Sequence, residues 1–233
     1  MSTRLHERGD QLILSSSDPA FDTLTGHRRY LIGLDVAQSV DQNAFCIILD
    51  EQVPAPEGLQ KRRREIVRAE RIPQMSYVDL ATVTRNLVTD PAIADKCYLV
   101  VDAGGPGRAF ADVLLDKGLM ATRMQIVGGE AENEKKERDV SFQNVGKPRL
   151  LMAINSALHT GELRIGNFPM RDKLREEIES VERHVTQAGR QTFTMGTADG
   201  HADILMSAAM AWWLSDHRSV GAHFGEVRLS GYF

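Results

Sequence analysis

The sequence predicts an α/β protein in which helices pack against one mixed β-sheet. Short apolar, β-branched runs recur along the chain between Gly, Pro, Asn and Asp residues, as buried strands do. The first three runs follow one another directly, whereas the later ones alternate with helix-like segments. This order favours an antiparallel meander followed by parallel strands that are linked by crossovers. With 233 residues and 42% hydrophobic content, the chain is large enough for one medium-sized domain.

Strands and helices follow in a definite order. Ser76 begins a capping box and Gly118 stands at a typical helix end. The five predicted sheet strands cover residues 30–35, 44–50, 65–72, 98–102 and 123–127. Helices are predicted at about 77–88, 108–117, 148–159, 172–184 and 200–217, with a short strand near 191–195.

One internal segment differs from this pattern. Residues 128–144 are almost entirely polar, with many Glu, Lys and Arg residues close together. Such a segment lacks the apolar periodicity of a helix or a strand. We therefore expect a mobile loop there.

The chain ends also differ from the middle. We expect a flexible lead over residues 1–25, the folded domain over 26–218 and a tail over 219–233. The first residues do not resemble a signal peptide, and no apolar run is long enough to cross a bilayer, so a cytoplasmic protein without membrane contact is expected. Cys46 and Cys97 lie in apolar runs and indicate neither a disulfide framework nor a zinc site.

The charge balance restricts how the chain can contact nucleic acid. A formal net charge of −4 argues against an all-over cationic coat, so contact with a polyanion must be local. A solvated turn or strand edge is the alternative role for any basic cluster. The two basic clusters are His27-Arg28-Arg29 and Lys61-Arg62-Arg63-Arg64, the second followed by Arg68 and Arg71.

Three aspartates occupy positions where carboxylates can converge. Asp35 and Asp102 end two predicted strands, and Asp203 opens the last predicted helix. In sheets with parallel strands, sites form beyond the carboxyl ends of those strands. Carboxylates brought together there repel one another unless a positive charge lies between them. A divalent cation is the natural occupant.

The order of these motifs resembles the nuclease domain of phage terminase large subunits, in the ribonuclease H-like superfamily. The shared features are a strand-borne Asp in a first hairpin, a later strand-Asp-x-Gly, and a Gly-His-x-Asp that opens an Ala-rich helix. The likeness covers roughly residues 30–214 and includes the segment 147–165. It implies a ribonuclease H-like mixed five-stranded sheet flanked by helices, and a metal-dependent DNA endonuclease that cuts concatemeric viral DNA during packaging.

The resemblance also implies a site. Asp35, Asp102 and Asp203 would coordinate two Mg²⁺ or Mn²⁺ ions, about 3.5 to 4 Å apart. Asp199 and Asp41 are further candidate ligands, with helix capping and turn stabilisation as their alternative roles. The residues expected to contact DNA are Arg28, Arg29, Arg62, Arg63, Lys147 and His201, the last with a helix-start role as the alternative.

Partners follow from the same resemblance, and so do two departures. Double-stranded DNA is the expected substrate, with a separate ATPase motor domain, a small terminase subunit and a portal as partners. The family's last motif often carries two adjacent acids, whereas this chain has Ala202-Asp203. No GxxxxGK[ST] phosphate loop is present. We therefore expect an excised or separately encoded nuclease domain that cannot translocate DNA by itself.

Three other functions remain open from the sequence. A resolvase- or transposase-like nuclease of the same superfamily would use the same metals. An ATP-binding protein of the actin and sugar-kinase type would explain residues 33–35 and 102–105, although the chain has room for only about one of the two lobes such proteins need. A non-catalytic assembly module would explain Ala202.

Overall fold

The computed structural model describes residues 3–36, 42–105, 107–185, 191–195 and 202–220. The helices are α1 (Tyr77–Val88), α2 (Gly107–Asp116), α3 (Lys147–Thr160), α4 (Arg171–Glu179) and α5 (Asp203–His217). The strands are β1 (Thr3–Arg8), β2 (Gln11–Ser16), β3 (Leu24–Asp35), β4 (Asn43–Gln52), β5 (Pro54–Ala55), β6 (Gly58–Leu59), β7 (Arg63–Ile72), β8 (Cys97–Asp102), β9 (Thr122–Val127), β10 (Glu132–Glu137), β11 (Val140–Gly146), β12 (Leu163–Ile165), β13 (Val181–Val185) and β14 (Gln191–Met195).

One large mixed sheet forms the centre of the protein. Its main order is β10-β11-β9-β8-β3-β4-β7-β12, and β2 also pairs with β3. β3, β4 and β7 form an antiparallel meander, while β3, β8, β9 and β11 run parallel. The five strands predicted from the sequence are the adjacent set β9-β8-β3-β4-β7. The predicted mixed α/β architecture is therefore confirmed.

Helices cover both faces of this sheet. Successive side chains of a strand point to opposite faces, and β3 illustrates this because Leu31 and Ile32 belong to different core clusters. α3, α4 and α5 pack on the Leu31 side, and α1 and α2 pack on the Ile32 side. α5 is buried from Ile204 to Ser215, as its mostly apolar sequence predicts. Within the described ranges, no helix is long and apolar enough to pass through a bilayer.

The sheet extends beyond the five predicted strands at its N-terminal side. The sequence predicts a flexible lead over residues 1–25, but β1 and β2 form a hairpin that joins β3. Leu12 and Leu14 point into the core, whereas every residue of β1 is exposed. Because one strand of the hairpin contributes nothing to the core, the apolar run in the sequence is too short to predict these strands.

The polar segment 128–144 is not the mobile loop that its sequence predicts. It contains β10 and most of β11, and β11 pairs in parallel with β9. Phe142 and Val145 are fully buried, while the charged side chains of β10 line the sheet edge. Charged residues are common on edge strands, where they prevent further pairing. This composition hides the strand from a periodicity argument.

The helix predicted over 172–184 is also too long. α4 ends at Glu179, and Val181–Val185 forms a strand that pairs with β14. Ser180 is the C-cap of α4. Its N–H still bonds to the carbonyl of Glu176, and the chain leaves the helix after it. Helix ends are set by packing as well as by local sequence.

Candidate active site at the carboxyl edge of the sheet

The candidate site lies where the parallel strands end at one edge of the sheet. β3 ends at Asp35 and β8 ends at Asp102. The parallel register of the two strands runs up to the residues just before these aspartates, which therefore lie side by side. Asp35 pairs with Ala44 in β4, and Ala44 pairs with Arg71 in β7. One row across the sheet thus carries two of the predicted acids and an arginine.

Both aspartates of this row belong to the face on which α5 packs. Side chains two residues apart in a strand point to the same face. Leu31, four residues before Asp35, and Val100, two residues before Asp102, both lie in the core beneath α5. Asp35, Asp102 and Asp203 are each partly exposed, so solvent and ions can reach them.

α5 runs antiparallel to β3 and brings Asp203 towards the same edge. Near its C-terminal end, the carbonyl oxygen of Ser215 accepts a hydrogen bond from Arg29 at 2.7 Å. Closer to its start, α5 meets Gly33 so tightly that a Cβ there would overlap the carbonyl oxygen of Ser207. Asp203 lies one turn before Ser207. Two residues beyond Gly33, on the same face of the sheet, β3 ends at Asp35.

A hydroxyl at this crossing adds a second connection. Ser207 Oγ lies 2.9 Å from the carbonyl oxygen of Ala44 and 2.7 Å from that of Asp203. Its single proton can bond to either oxygen. Since Ala44 is the pairing partner of Asp35, the first turn of α5 is held directly against the acidic row.

The environment of Asp102 favours a cation beside it. Its Oδ1 accepts a hydrogen bond from the backbone N–H of Gly104 at 2.7 Å. Burial raises the pKa of Asp102, and backbone N–H groups of Gly104 and Ile126 offset only part of that rise. Burial thus makes the ionised carboxylate less favourable than it is in water, and a nearby positive charge would stabilise it.

A fourth carboxylate lies close to Asp203. Glu177 of α4 is fully buried; its Oε2 accepts the backbone N–H of Leu205 at 2.8 Å, and its Oε1 lies 2.9 Å from Nη2 of Arg71. Burial raises the pKa of Glu177; the bonds from Leu205 and Arg71 lower it, and the charge of Asp203 raises it further. Its neighbours in sequence are mostly charged, a pattern typical of a solvated helix face, so the sequence does not single it out.

The described carboxylates at this edge do not form a complete metal-coordination site. Among the side chains that the structure describes, no three His, Cys, Asp or Glu residues are already placed to hold an ion. Asp41, Asp199 and His201 lie outside the described residues. The donors that are described at this edge are hard carboxylate oxygens, which suit Mg²⁺ and Mn²⁺ better than soft metals.

Comparison with known proteins gives a result at the level of structure. No protein-family model and no curated protein sequence matches this chain. The magnesium-bound large terminase nuclease of thermophilic phage G20c superposes with a TM-score of 0.56 at 21% identity, covering 90% of this chain and 89% of that one. The large terminase nuclease domain of Thermus phage P74-26 gives 0.55 at 18% identity, covering 91% and 89%.

A third match comes from a different kind of virus. The human cytomegalovirus terminase nuclease domain, soaked with Mn and bound to an inhibitor, gives a TM-score of 0.51 at 10% identity, covering 81% of this chain and 83% of that one. The chain has the large terminase nuclease fold. The resemblance inferred from motif order is thus confirmed, and so is the ribonuclease H-like architecture that it implies.

Within this terminase nuclease fold, the basic residues near the start of β3 lie far from the aspartates. Six residues of strand separate Arg29 from Asp35, or about 20 Å. Arg29 is 1% exposed; its Nε lies 2.8 Å from Asp50 Oδ2, and its other nitrogens donate to main-chain carbonyls of Ser215 and Arg218. Arg29 is therefore an interior structural residue, not the surface contact for DNA that its sequence position predicts.

Arg62 joins the same buried cluster. Its Nε and Nη2 donate to the two oxygens of Asp50 at 2.7 and 2.8 Å. Burial alone would raise the pKa of Asp50, but hydrogen bonds from Arg62 and His27 and the charge of Arg29 hold it well below its usual range. Asp50 is thus the common anion of three basic side chains.

Two more predicted DNA contacts are engaged at this end of the terminase nuclease fold. Arg28 donates to Glu51 at 3.0 Å and to Glu7 at 3.0 Å. Arg63 donates to Glu65 at 2.5 Å and lies 3.4 Å from Glu51. Both are partly solvent-exposed, but carboxylates neutralise them. The structure therefore does not bring these arginines together with the acidic row.

Lys147 differs from these arginines. It is the first residue of α3 and follows Gly146, the last residue of β11. Because β11 runs parallel to β9, β8 and β3, Lys147 lies beyond the same end of the sheet as Asp35 and Asp102, four residues past Gln143, which is level with Asp102 through Met124. Of the described residues predicted to contact DNA, Lys147 is the one at the acidic edge.

Proposed function

We propose that this protein is a metal-dependent DNA endonuclease that cuts concatemeric viral DNA during genome packaging. One observation carries the proposal: Asp35 and Asp102 lie side by side in one sheet row, and α5 runs towards the same end with Asp203 as its first residue. The terminase nuclease fold supports it, since solved relatives of that fold include magnesium- and cobalt-bound forms and one soaked with Mn.

Asp35, Asp102 and Asp203 are the residues that would hold the metal, as a pair of Mg²⁺ or Mn²⁺ ions. When bound, such ions would supply Lewis-acid chemistry for phosphodiester hydrolysis, by activating a water and stabilising the leaving oxygen. The chain's own contribution is to hold the carboxylates on rigid elements. Partial burial of Asp102 lowers the local dielectric constant, which strengthens its attraction for a cation.

The substrate in this proposal is double-stranded DNA. Lys147 supplies a positive charge at the acidic edge and would position a backbone phosphate there, while His201 would contribute a further phosphate contact or move a proton at the edge of the site. The setting is a packaging machine in the cytoplasm of a bacterial host. A separate ATPase motor, a small terminase subunit and a portal would supply translocation, recognition and the entry channel.

Plasmid nicking tests this function. Supercoiled plasmid is incubated with the protein in Mg²⁺, Mn²⁺, Ca²⁺ or chelator, and nicked and linear products are quantified. We expect cleavage in Mg²⁺ or Mn²⁺ and none in chelator. Alanine at Asp35, Asp102 or Asp203 should reduce the rate by more than the roughly 10- to 100-fold that residues behind metal ligands cost.

Asp116→Ala is a matched control, because Asp116 is an exposed aspartate at the end of α2. It should cut at the parent rate. If Asp102→Ala nicks plasmid as fast as the parent in Mn²⁺, the proposed site is wrong. A parent protein that binds Mn²⁺ weakly and cuts nothing would instead be a non-catalytic assembly module.

A further inference from the structure

The residue at the N-cap of α5, Ala202, has no side chain that could cap the helix. The first N–H groups of a helix have no partner within the helix and need one elsewhere. The N-cap position is Ala202, which makes no side-chain hydrogen bond, and the residues that follow Asp203 are buried. A buried N–H left without an acceptor costs stability. This helix start therefore requires an acceptor from another part of the chain.

Glu177 supplies that acceptor from α4. Its Oε2 accepts the N–H of Leu205 at 2.8 Å, and Leu205 is the third residue of α5, where a local N-cap side chain would normally bond. A negative charge at a helix N-terminus also complements the helix dipole. Glu177 thus does from a distance what a Ser or Asp at position 202 would do locally.

The same carboxylate is tied to the acidic row of the sheet. A fully buried carboxylate needs a counter-charge, and Arg71 provides one at 2.9 Å. Arg71 pairs with Ala44, which pairs with Asp35. A continuous set of contacts therefore leads from the sheet row, through Arg71 and Glu177, to the turn that begins with Asp203.

We infer that Glu177, held by Arg71, is the remote N-cap of α5 and sets the position of Asp203 relative to Asp35 and Asp102. This inference rests on the nuclease function proposed above, because it is for metal binding that the position of Asp203 matters. Glu177 acts as a positioning residue. One of its oxygens accepts the Leu205 N–H and the other bonds to Arg71, and the rescue experiment below distinguishes this role from direct metal binding.

Restoring a local cap tests this inference. Glu177→Ala removes the remote cap, and adding Ala202→Ser to it provides a hydroxyl that can accept the Leu205 N–H. Three quantities are measured: the Mn²⁺ dissociation constant by calorimetry, the plasmid-nicking rate, and hydrogen exchange of the Leu205 and Met206 amides. Glu176→Ala is the matched control, since Glu176 is the adjacent, exposed glutamate of the same helix.

We expect Glu177→Ala to weaken Mn²⁺ binding by roughly 10- to 100-fold, the usual effect of losing a residue behind a metal ligand. Exchange at Leu205 should become faster. Ala202→Ser in this background should recover most of the affinity and the slow exchange, and Glu176→Ala should match the parent. If Glu177→Ala keeps parent affinity and parent exchange, the inference is overturned.

Rescue also separates positioning from direct metal binding. If Ala202→Ser restores slow exchange but not Mn²⁺ affinity, Glu177 acts on the ions themselves and the inference is wrong.

Should Glu177→Ala fail to fold, the double variant Arg71→Gln/Glu177→Gln decides, since it keeps an acceptor for Leu205 and leaves no unpaired charge. Parent-like exchange with affinity within about threefold supports capping, and a loss of about tenfold or more with slow exchange contradicts it.

Failure of the nuclease proposal would be visible separately. A parent protein that neither binds Mn²⁺ nor cuts DNA would refute the proposed function. Exchange at Leu205 needs no metal and no catalysis, so it would still report whether Glu177 caps α5.

Discussion

The indole N–H of Trp213 donates to Glu132 Oε1 at 2.7 Å and thereby attaches β10 to α5. The same carboxylate oxygen lies 2.7 Å from His217 Nε2, and Arg149 pairs with the other oxygen. Three elements thus meet at one glutamate in a segment whose composition predicts a loop. These bonds give the polar hairpin β10–β11 a fixed place on the protein.

Glu132→Ala should loosen that hairpin. Removing the carboxylate leaves the Trp213 N–H without its acceptor, which typically costs about 1–3 kcal/mol. Amide exchange across β10 and β11 should rise, and the free energy of unfolding in urea should fall. Glu130→Ala, at an exposed position just before the strand, should change neither. Parent-like protection of β10 in Glu132→Ala would show that the hairpin needs no such anchor.

Gly33→Ala should be severely destabilising. The added Cβ would overlap the main-chain carbonyl of Ser207, and main chain in the middle of a helix cannot move aside without shifting α5. We expect a loss of about 3 kcal/mol or more in the free energy of unfolding. Gly128→Ala is the control because nothing lies within 4 Å of a Cβ at that position. Equal melting temperatures for the two variants would contradict this prediction.

Asp102→Asn should stabilise the metal-free protein at neutral pH. The folded-state pKa of Asp102 lies above its usual value because of burial, so its ionisation costs stability that begins to be lost as pH rises past the unfolded value and is fully lost above the folded-state pKa. We expect a gain of about 0.5–2 kcal/mol in chelator, the usual size of a single stabilising substitution.

The gain from Asn should shrink as pH falls towards the unfolded value of about 3.9, since wild-type Asp102 becomes protonated over this range. Thermal melts in chelator from pH 7 to pH 4 measure it. In Mn²⁺ the order should reverse, because only the aspartate stabilises the ion. A metal-free Asp102→Asn variant that melts below the parent at pH 7 would refute the assignment.

Asp50→Asn should be among the most damaging polar substitutions. It leaves Arg29, 1% exposed, without its anion, and breaking one side of a buried ion pair costs about 3–5 kcal/mol. The pKa of Asp50 is lowered in the fold, so its stabilisation is fully present above about pH 4 and is lost as pH falls below that value.

The difference between Asp50→Asn and the parent should therefore narrow in acid. Urea unfolding at several pH values measures it. Glu7→Gln, which breaks exposed pairs with Arg28 and Lys96, should cost only about 0–1 kcal/mol. A pH-independent difference for Asp50→Asn would count against the lowered pKa.

Lys147→Ala should weaken DNA binding without lowering the melting temperature. Lys147 stands at the acidic edge, and losing one phosphate contact should reduce the slope of log affinity against log salt by about one. Arg63→Ala is the comparison, because Arg63 is paired with glutamates of β4 and β7 at the end of the sheet away from the aspartates. Binding is measured by fluorescence anisotropy with duplex DNA in Ca²⁺. An unchanged salt slope for Lys147→Ala would place the phosphate contact elsewhere.

The predicted stretches of β3, β4 and β8 could be found from the sequence because they are largely covered on both faces. Such stretches are mostly apolar and contrast sharply with the loops around them. The row of Asp35 and Asp102 follows from this, since both residues end strands of that kind. The hairpins β1–β2 and β10–β11 lie at the margins of the sheet, where half or more of the side chains meet solvent. Their sequences therefore carry little periodic signal.

The other differences come from contacts between distant parts of the chain. Arg29 lies in a basic run, but the register of β3 and β4 puts Asp50 opposite it, and no local pattern reveals that register. Glu177 has mostly charged neighbours, and it is buried only because α4 packs against the start of α5. Asp41, Asp199 and His201 remain predictions.

The contact between Gly33 and Ser207 serves the packing of the fold and is independent of the acidic side chains at the carboxyl edge of the sheet. The distance from β3 to α5 is set there by the main-chain carbonyl of Ser207 and by the absence of a side chain at Gly33. Replacing a metal-ligand side chain at the strand ends therefore leaves the distance between β3 and α5 unaltered. Proteins with this fold can therefore carry different metal-ligand residues at the strand ends while keeping the same packing of α5 on the sheet.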